Sequence, residues 1–216
     1  MGKLSDHAQD VSMTCTKRPS RQFFRRDPVI LGRALLGQRL VRVIRGRRLA
    51  GTIVETEAYL GAIDKAAHTY GGRRTDRNKS MWADGGTAYV YFTYGMHHCI
   101  NVVAKRVEDP EAVLIRALEP LEGLTIMRRN RRAAKQDTDL CSGPGKLCQA
   151  LAINRQFDGS DLLNGQQLFI ELCRRRAYPA RQIAVSPRIG IAYAGRWAHK
   201  PLRFFLAQNP HVSKGF

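Results

Sequence analysis

The segment Ile53-Val54-Glu55-Thr56-Glu57-Ala58-Tyr59 sets two acids and a phenol at intervals of two residues. Side chains alternate across a strand, so Glu55, Glu57 and Tyr59 share one face, successive members roughly 6.6 to 7 Å apart. Such a face is either solvated, as most acids are, or it presents a carboxylate beside an aromatic wall. The second arrangement suits a general base next to a stacking surface. Another strand, Tyr89-Val90-Tyr91-Phe92-Thr93-Tyr94, runs into Gly95, which marks a tip. Aromatic rings near basic side chains are what nucleobase stacking requires. A core strand is the competing reading, and it is the one adopted for Tyr89 and Phe92. Tyr91 and Tyr94 are three apart, so they point to different sides.

Two basic, glycine-bearing stretches accompany these strands. Gly71-Gly72-Arg73-Arg74-Thr75-Asp76-Arg77-Asn78-Lys79 lets backbone approach a phosphate while Arg73 and Arg77 supply charge. Ser142-Gly143-Pro144-Gly145-Lys146 opens a helix and offers Lys146 to another phosphate. It lacks P-loop spacing, so nucleoside triphosphate hydrolysis is not indicated. No metal is expected. His97, His98 and Cys99 are consecutive, and neighbours on a strand face opposite ways. Glu55 and Glu57 without a further acid make a thin magnesium site for a nuclease.

Charge narrows the partners. Lys and Arg number 36 against 18 acids, a net +18. A polyanion gains affinity from each counterion released, so nucleic acid leads and an anionic membrane surface comes second. No stretch approaches the roughly 18 to 20 apolar residues of a spanning helix. Residues 1–22 read as a flexible basic tail without a secretory signal, and residues 23–216 as one domain. Five irregularly spaced cysteines, Cys15, Cys99, Cys141, Cys148 and Cys173, contain no paired C-x-x-C knuckles. Reduced, mostly buried thiols in an intracellular protein are the expectation.

The elements that must position these residues are a helix between Asp27 and Gly37, then strands at Arg39–Ile44 and Leu49–Leu60. Asp27 caps that helix and Pro28 takes its first position. Residues 61–86 read as a long functional loop. Strands follow at Thr87–Tyr94, Cys99–Ala104 and Ala112–Leu118. Helices are expected over Pro120–Arg132 and from Ser142, with further strands at Leu168–Leu172, Ile189–Ala192 and Leu202–Leu206. Antiparallel strands with a few flanking helices give an α+β single domain.

In order along the chain, these pieces resemble the alkyladenine (3-methyladenine, or N-methylpurine) DNA glycosylases. The resemblance is carried by Leu31-Gly32-Arg33-Ala34-Leu35-Leu36-Gly37, by Ile53 to Gly61, and by Ala66-Ala67-His68. Arg77-Asn78, Tyr89-Val90-Tyr91, Tyr94-Gly95-Met96 and Asn101 continue it, followed by Leu114 to Pro120 and Leu140 to Pro144. Lys146 to Leu151 and Lys200-Pro201-Leu202-Arg203-Phe204 close it. The chain departs from the family pattern at Tyr70 and Asp76, and at His97 and His98. Arg106–Glu111 reads as a longer hairpin turn.

The resemblance implies a curved antiparallel sheet with a protruding hairpin. It implies that Glu57 is the general base for the attacking water and that Arg116 helps hold that water. Tyr59, His68 and Tyr91 would wall the pocket for the flipped base, and Asn101 would crowd the amine of guanine. Tyr94 would intercalate from the minor groove. Expected partners are double-stranded DNA with damaged purines and no membrane, with the protein acting as a monomer without cofactors. The compartment would be the cytoplasm or nucleoid of a bacterium, or a eukaryotic nucleus. No lysine stands on the strand beside Glu57, so the expected product is an abasic site without strand cleavage. A non-catalytic binder of damaged nucleic acid is the alternative, and it would not need Glu57.

Overall fold

The computed structural model describes residue 15 and residues 17–213. Its elements are α1 (Arg21–Phe24), α2 (Pro28–Leu35), β1 (Arg39–Ile44), β2 (Arg47–Tyr59), β3 (Ala88–Thr93), β4 (His97–Val103) and β5 (Ala112–Glu122). They continue with α3 (Leu124–Asn130), α4 (Asp137–Leu140), α5 (Pro144–Ala150), β6 (Leu168–Glu171), β7 (Ile183–Ser186) and β8 (Arg203–Leu206). The α+β class read from the sequence holds.

The strands form one antiparallel sheet in the order β3-β4-β5-β2-β1-β6, with β8 added to β2 and β7 to β8. Strand β2 is its organising element. One edge pairs with β5 from Ala50 to Tyr59, while the other is divided between β1 (Arg47–Thr52) and β8 (Glu55–Glu57). Register slips against β5 flank Glu55. Such bulges bend a strand and increase its local twist. The sheet therefore curls where β2 exchanges one partner for another, and Glu55 and Glu57 sit at that place.

Helix α2 covers the opposite face. Asp27 accepts a hydrogen bond from the Val29 amide at 2.8 Å, and Pro28 begins the helix, as its sequence predicts. Thr56 points to this side and donates to the Gly32 carbonyl at 3.0 Å. A Cβ on Gly32 would stand 3.1 Å from the Phe204 ring, so a glycine lets helix and sheet approach closely. Leu31, Leu35, Ile53, Val90, Ile115 and Phe204 belong to the core so formed. Each such side chain stabilises the fold by about 1.5–3 kcal/mol through its burial.

Several sequence expectations are corrected. Pro120 lies in β5, paired opposite Gly51, and the helix begins only after Gly123, whose φ is 77°. Pairing with β2 thus overrides the tendency of proline to start a helix. Ile189–Ala192 forms no strand. The strand lies earlier, at Ile183–Ser186, and Pro187 follows it. Phe92 is exposed instead of buried, because its hairpin extends past the covering elements; its ring packs 5.0 Å from that of His98.

Cysteine usage is the other correction. Cys15 and Cys173 form a disulfide across 158 residues of sequence, while Cys99, Cys141 and Cys148 are free and buried. The N-terminal segment returns to the end of β6, where the Leu172 amide donates to the Lys17 carbonyl at 2.8 Å. Spacing along the chain carries no sign of that approach. Most of the tail expected over 1–22, namely 1–14 and 16, lies outside the described residues. Within the remainder, Arg18 bonds the carbonyls of Leu163 and Gly165, and α1 begins at Arg21.

Candidate active site

Glu57 is fully buried at the curl of the sheet. Its Oε2 accepts from the Tyr59 hydroxyl at 2.9 Å, and its Oε1 from the Ile189 amide at 2.8 Å. Arg116, on neighbouring β5, places Nη1 3.2 Å from the same Oε1. Arg116 also joins Glu55, donating from Nε to Oε1 at 2.9 Å. That Oε1 accepts from Arg203 Nε (2.7 Å) and Ser213 Oγ (2.8 Å), and Oε2 accepts from the Ser213 amide (2.7 Å). A carboxylate has about four acceptor directions. Four hydrogen bonds surround Glu55, three on Oε1 and one on Oε2. Glu57 accepts two and makes one ion-pair contact, so it is the less enclosed and its Oε2 has room for a further donor such as water.

Burial pulls the Arg116 guanidinium down, but the charges of Glu57 and Glu55 outweigh it and hold its pKa above the ordinary value. Burial, reinforced by the negative charge of Glu57, pushes the Tyr59 phenol well up. Burial and the neighbouring Cys99 do the same to Tyr91, with a smaller contribution from Glu57. Both phenols therefore stay neutral and present intact rings.

The aromatic walls are braced from behind. Arg188 lies 4.6 Å from the Tyr59 ring centroid and is held by Asp64 in a fully buried, two-pronged ion pair at 2.5 and 2.9 Å. His68 stands edge-on to Tyr91, with ring centroids 4.6 Å apart, and its Nδ1 is 2.7 Å from the Tyr89 hydroxyl. Burial, with Arg77 nearby, lowers the His68 pKa to about 4, so its ring is neutral at physiological pH. Asn101 is buried beside this group, its amide donating to the Tyr89 carbonyl at 3.1 Å. Asn78 ties the loop to the wall by donating to the carbonyls of His68 and Arg73, both at 2.9 Å.

Beyond this cluster the β3–β4 hairpin ends in Tyr94-Gly95, with φ of 51° and 66°. Positive φ at both central residues belongs to the tight turn that matches strand twist. Glycine adopts it freely, but tyrosine does so at a cost of about 1–3 kcal/mol, a strain that concentrates at functional positions. Tyr94 is 80% exposed at this tip. Arg77 braces the hairpin by donating to the Phe92 carbonyl at 3.1 Å. On the other flank His97 packs on Gly145, where a Cβ would meet its ring at 3.0 Å. The exposed Lys146 of α5 is thereby brought beside the hairpin. Arg73 is exposed on the loop that Asn78 anchors.

The structure thus gathers Glu57, Arg116, Tyr59, His68, Tyr91 and Asn101, with Tyr94 projecting alongside and Arg73, Arg77 and Lys146 at the flanks. Among the described residues, no group of three or more His, Cys, Asp or Glu side chains is arranged to hold a metal ion. Sequence reading gave no role to Asp64, Arg188, Ile189, Arg203 or Ser213, which hold the carboxylates and the Tyr59 wall. The one available signal was Arg203, a basic residue on a short strand otherwise apolar.

A family model described as methylpurine-DNA glycosylase matches residues 22–210. The chain belongs to the methylpurine-DNA glycosylase family. It is similar to the human DNA-3-methyladenine glycosylase, with 48% identity over 202 residues, 89% of this chain and 66% of that protein. The mouse protein of the same name is 47% identical over 89% of this chain and 60% of its own length. The chain therefore spans less than two thirds of these mammalian relatives. A relative from Natranaerobius thermophilus, 43% identical, is covered over 96% of its length.

Proposed function

We propose that this chain is a base-excision DNA glycosylase that everts alkylated or deaminated purines and hydrolyses their bond to deoxyribose. The observation that carries the reading is Glu57, buried and oriented by Tyr59, Ile189 and Arg116 with one acceptor direction left, beside aromatic walls. Water held there loses its proton to Glu57 as its oxygen bonds C1′ of the sugar. The C1′–N9 bond breaks, the purine leaves with the electron pair, and an abasic site remains. No side-chain amine lies among the groups that hold Glu57, so strand cleavage through an imine is not part of this chemistry.

Specificity begins with eversion, which costs a few kcal/mol and is easiest for damaged or mispaired bases. Tyr94, rigid and exposed at its tip, fills the gap left in the stack. Cationic alkylated purines are attracted by the faces of Tyr59 and Tyr91, and neutral His68 adds no opposing charge. Asn101, pinned to the Tyr89 carbonyl, crowds the exocyclic amine of guanine. Arg73, Arg77 and Lys146 engage phosphates on either side. The protein acts as a monomer, inside the cell where its DNA lies.

Single-turnover incubation with duplexes carrying hypoxanthine, ethenoadenine or 7-methylguanine, in EDTA, tests the reading. Release of at least one free base, leaving an alkali-labile site on an uncut strand, is the expected result. Binding should weaken steeply with salt, because phosphate contacts dominate. Tight damage-dependent binding without release of any base would favour a binder over an enzyme.

A further inference from the structure

A cleft of about 390 Å³ shares His68 with the base pocket and two of its cations with the phosphate-binding flank. Lys65, Tyr70, Arg73, Arg77 and Tyr193 also line it, and no acid does. Among the described residues neither Lys65 nor Arg73 is ion-paired, whereas adjacent Arg74 is tied to Glu108 at 2.9 Å. Tyr70 and Tyr193 are large rings left 50% and 64% exposed. Unpaired cations beside exposed rings are what an unstacked nucleotide requires, one for its phosphate and the other for its base.

The position of Tyr193 gives the cleft a direction. Its phenol lies within electrostatic reach of Tyr94 on the hairpin, and of Arg188 and Asp64 behind the Tyr59 wall. Tyr193 therefore lies near both the hairpin tip and the ion pair that braces Tyr59. His68 lines the cleft and also packs edge-on against Tyr91, next to the base pocket.

We propose that this cleft is a holding site for a nucleotide that has left the stack and has not yet entered the base pocket. Its base rests on Tyr193 and Tyr70, and its phosphate on Arg73 and Lys65. The inference rests on the glycosylase reading and adds a step to it. Any purine can occupy the holding site, because every base has a face to stack, while passage to Glu57 is selective. Normal purines are returned to the duplex from the cleft without reaching the carboxylate.

Stopped-flow fluorescence with the full chain and a duplex carrying one ethenoadenine tests this, because that base brightens on leaving the stack. The wild type should show two phases before excision. Tyr193→Ala should diminish the first phase and slow arrival in the pocket about tenfold, near the lower part of the range for one base–aromatic stack. Tyr70→Ala, on a separate loop, should act the same way, and Tyr193→Phe should restore wild-type traces. Excision after arrival should change less than twofold. Traces of both alanine variants superimposing on wild type would overturn the proposal. So would an equal defect in Tyr193→Phe, or a loss confined to the excision step. Failure of the wild type to excise any damaged base would instead remove the glycosylase reading on which the proposal stands.

Discussion

Glu55 and Glu57 stand two residues apart on β2, both fully buried and both touching Arg116. Their surroundings differ. Glu55 is enclosed by Arg116, Arg203 and Ser213, which give it four hydrogen bonds, three on Oε1 and one on Oε2. Glu57 receives two hydrogen bonds, one from the Tyr59 hydroxyl, and an ion-pair contact from Arg116. Two carboxylates of equal burial are thus assigned different work by the number of donors around them. One ties β5, β8 and the C-terminal segment to β2; the other is less enclosed, and in the proposed reading it serves the reacting water.

The comparison breaks most severely where the two acids share a partner. Arg116→Met leaves two buried carboxylates short of positive charge and should destabilise the fold by about 3–5 kcal/mol while abolishing excision. Urea unfolding checks this, and stability within about 1 kcal/mol of wild type would show that Arg116 does not hold Glu55.

His68 packs on Tyr91 beside Glu57, so its titration reports on that side. His68 is held at about 4 by burial, against roughly 6.5 in the unfolded chain. The unfolded state then binds a proton that the folded state refuses. Stability should fall as pH drops from about 6.5 to about 4 and level off below, by up to about 3 kcal/mol. Melting curves across this window should show the slope in wild type and a shallower one in His68→Asn. An unchanged slope in the variant would assign the effect to another group.

The smallest change sharpens the other side. Ser213→Ala removes a 2.8 Å hydroxyl bond to Glu55 and leaves the amide bond in place. A hydrogen bond to a charged group contributes about 1.5–3 kcal/mol, so stability should fall by that amount. Single-turnover excision at saturating enzyme should stay within twofold; a larger loss would mean that the enclosure of Glu55 reaches the chemistry.

Strand alternation made the shared face of Glu55, Glu57 and Tyr59 legible, and Tyr94-Gly95 announced the tip. The same reasoning could not tell the two acids apart. Their difference comes from Arg203, Ser213 and Ile189, 132 to 158 residues away in sequence. Pattern along a strand reports which way a side chain points, and is silent about what arrives from the far end of the chain. The Cys15–Cys173 disulfide escaped notice for the same reason. Pro120 was misread differently: a local preference for starting a helix gave way to pairing with Gly51.

The division between the two carboxylates is tested most directly by preparing Glu57→Gln and Glu55→Gln together and measuring melting and single-turnover excision on each. Glu57→Gln should lose about 100-fold or more in excision, as expected for a general base, with the smaller fall in melting temperature. Glu55→Gln should show the larger fall in stability, and its folded fraction should excise within a few-fold of wild type. Glu57→Gln excising within about threefold of wild type would contradict the account, and the reacting water would have to be activated elsewhere.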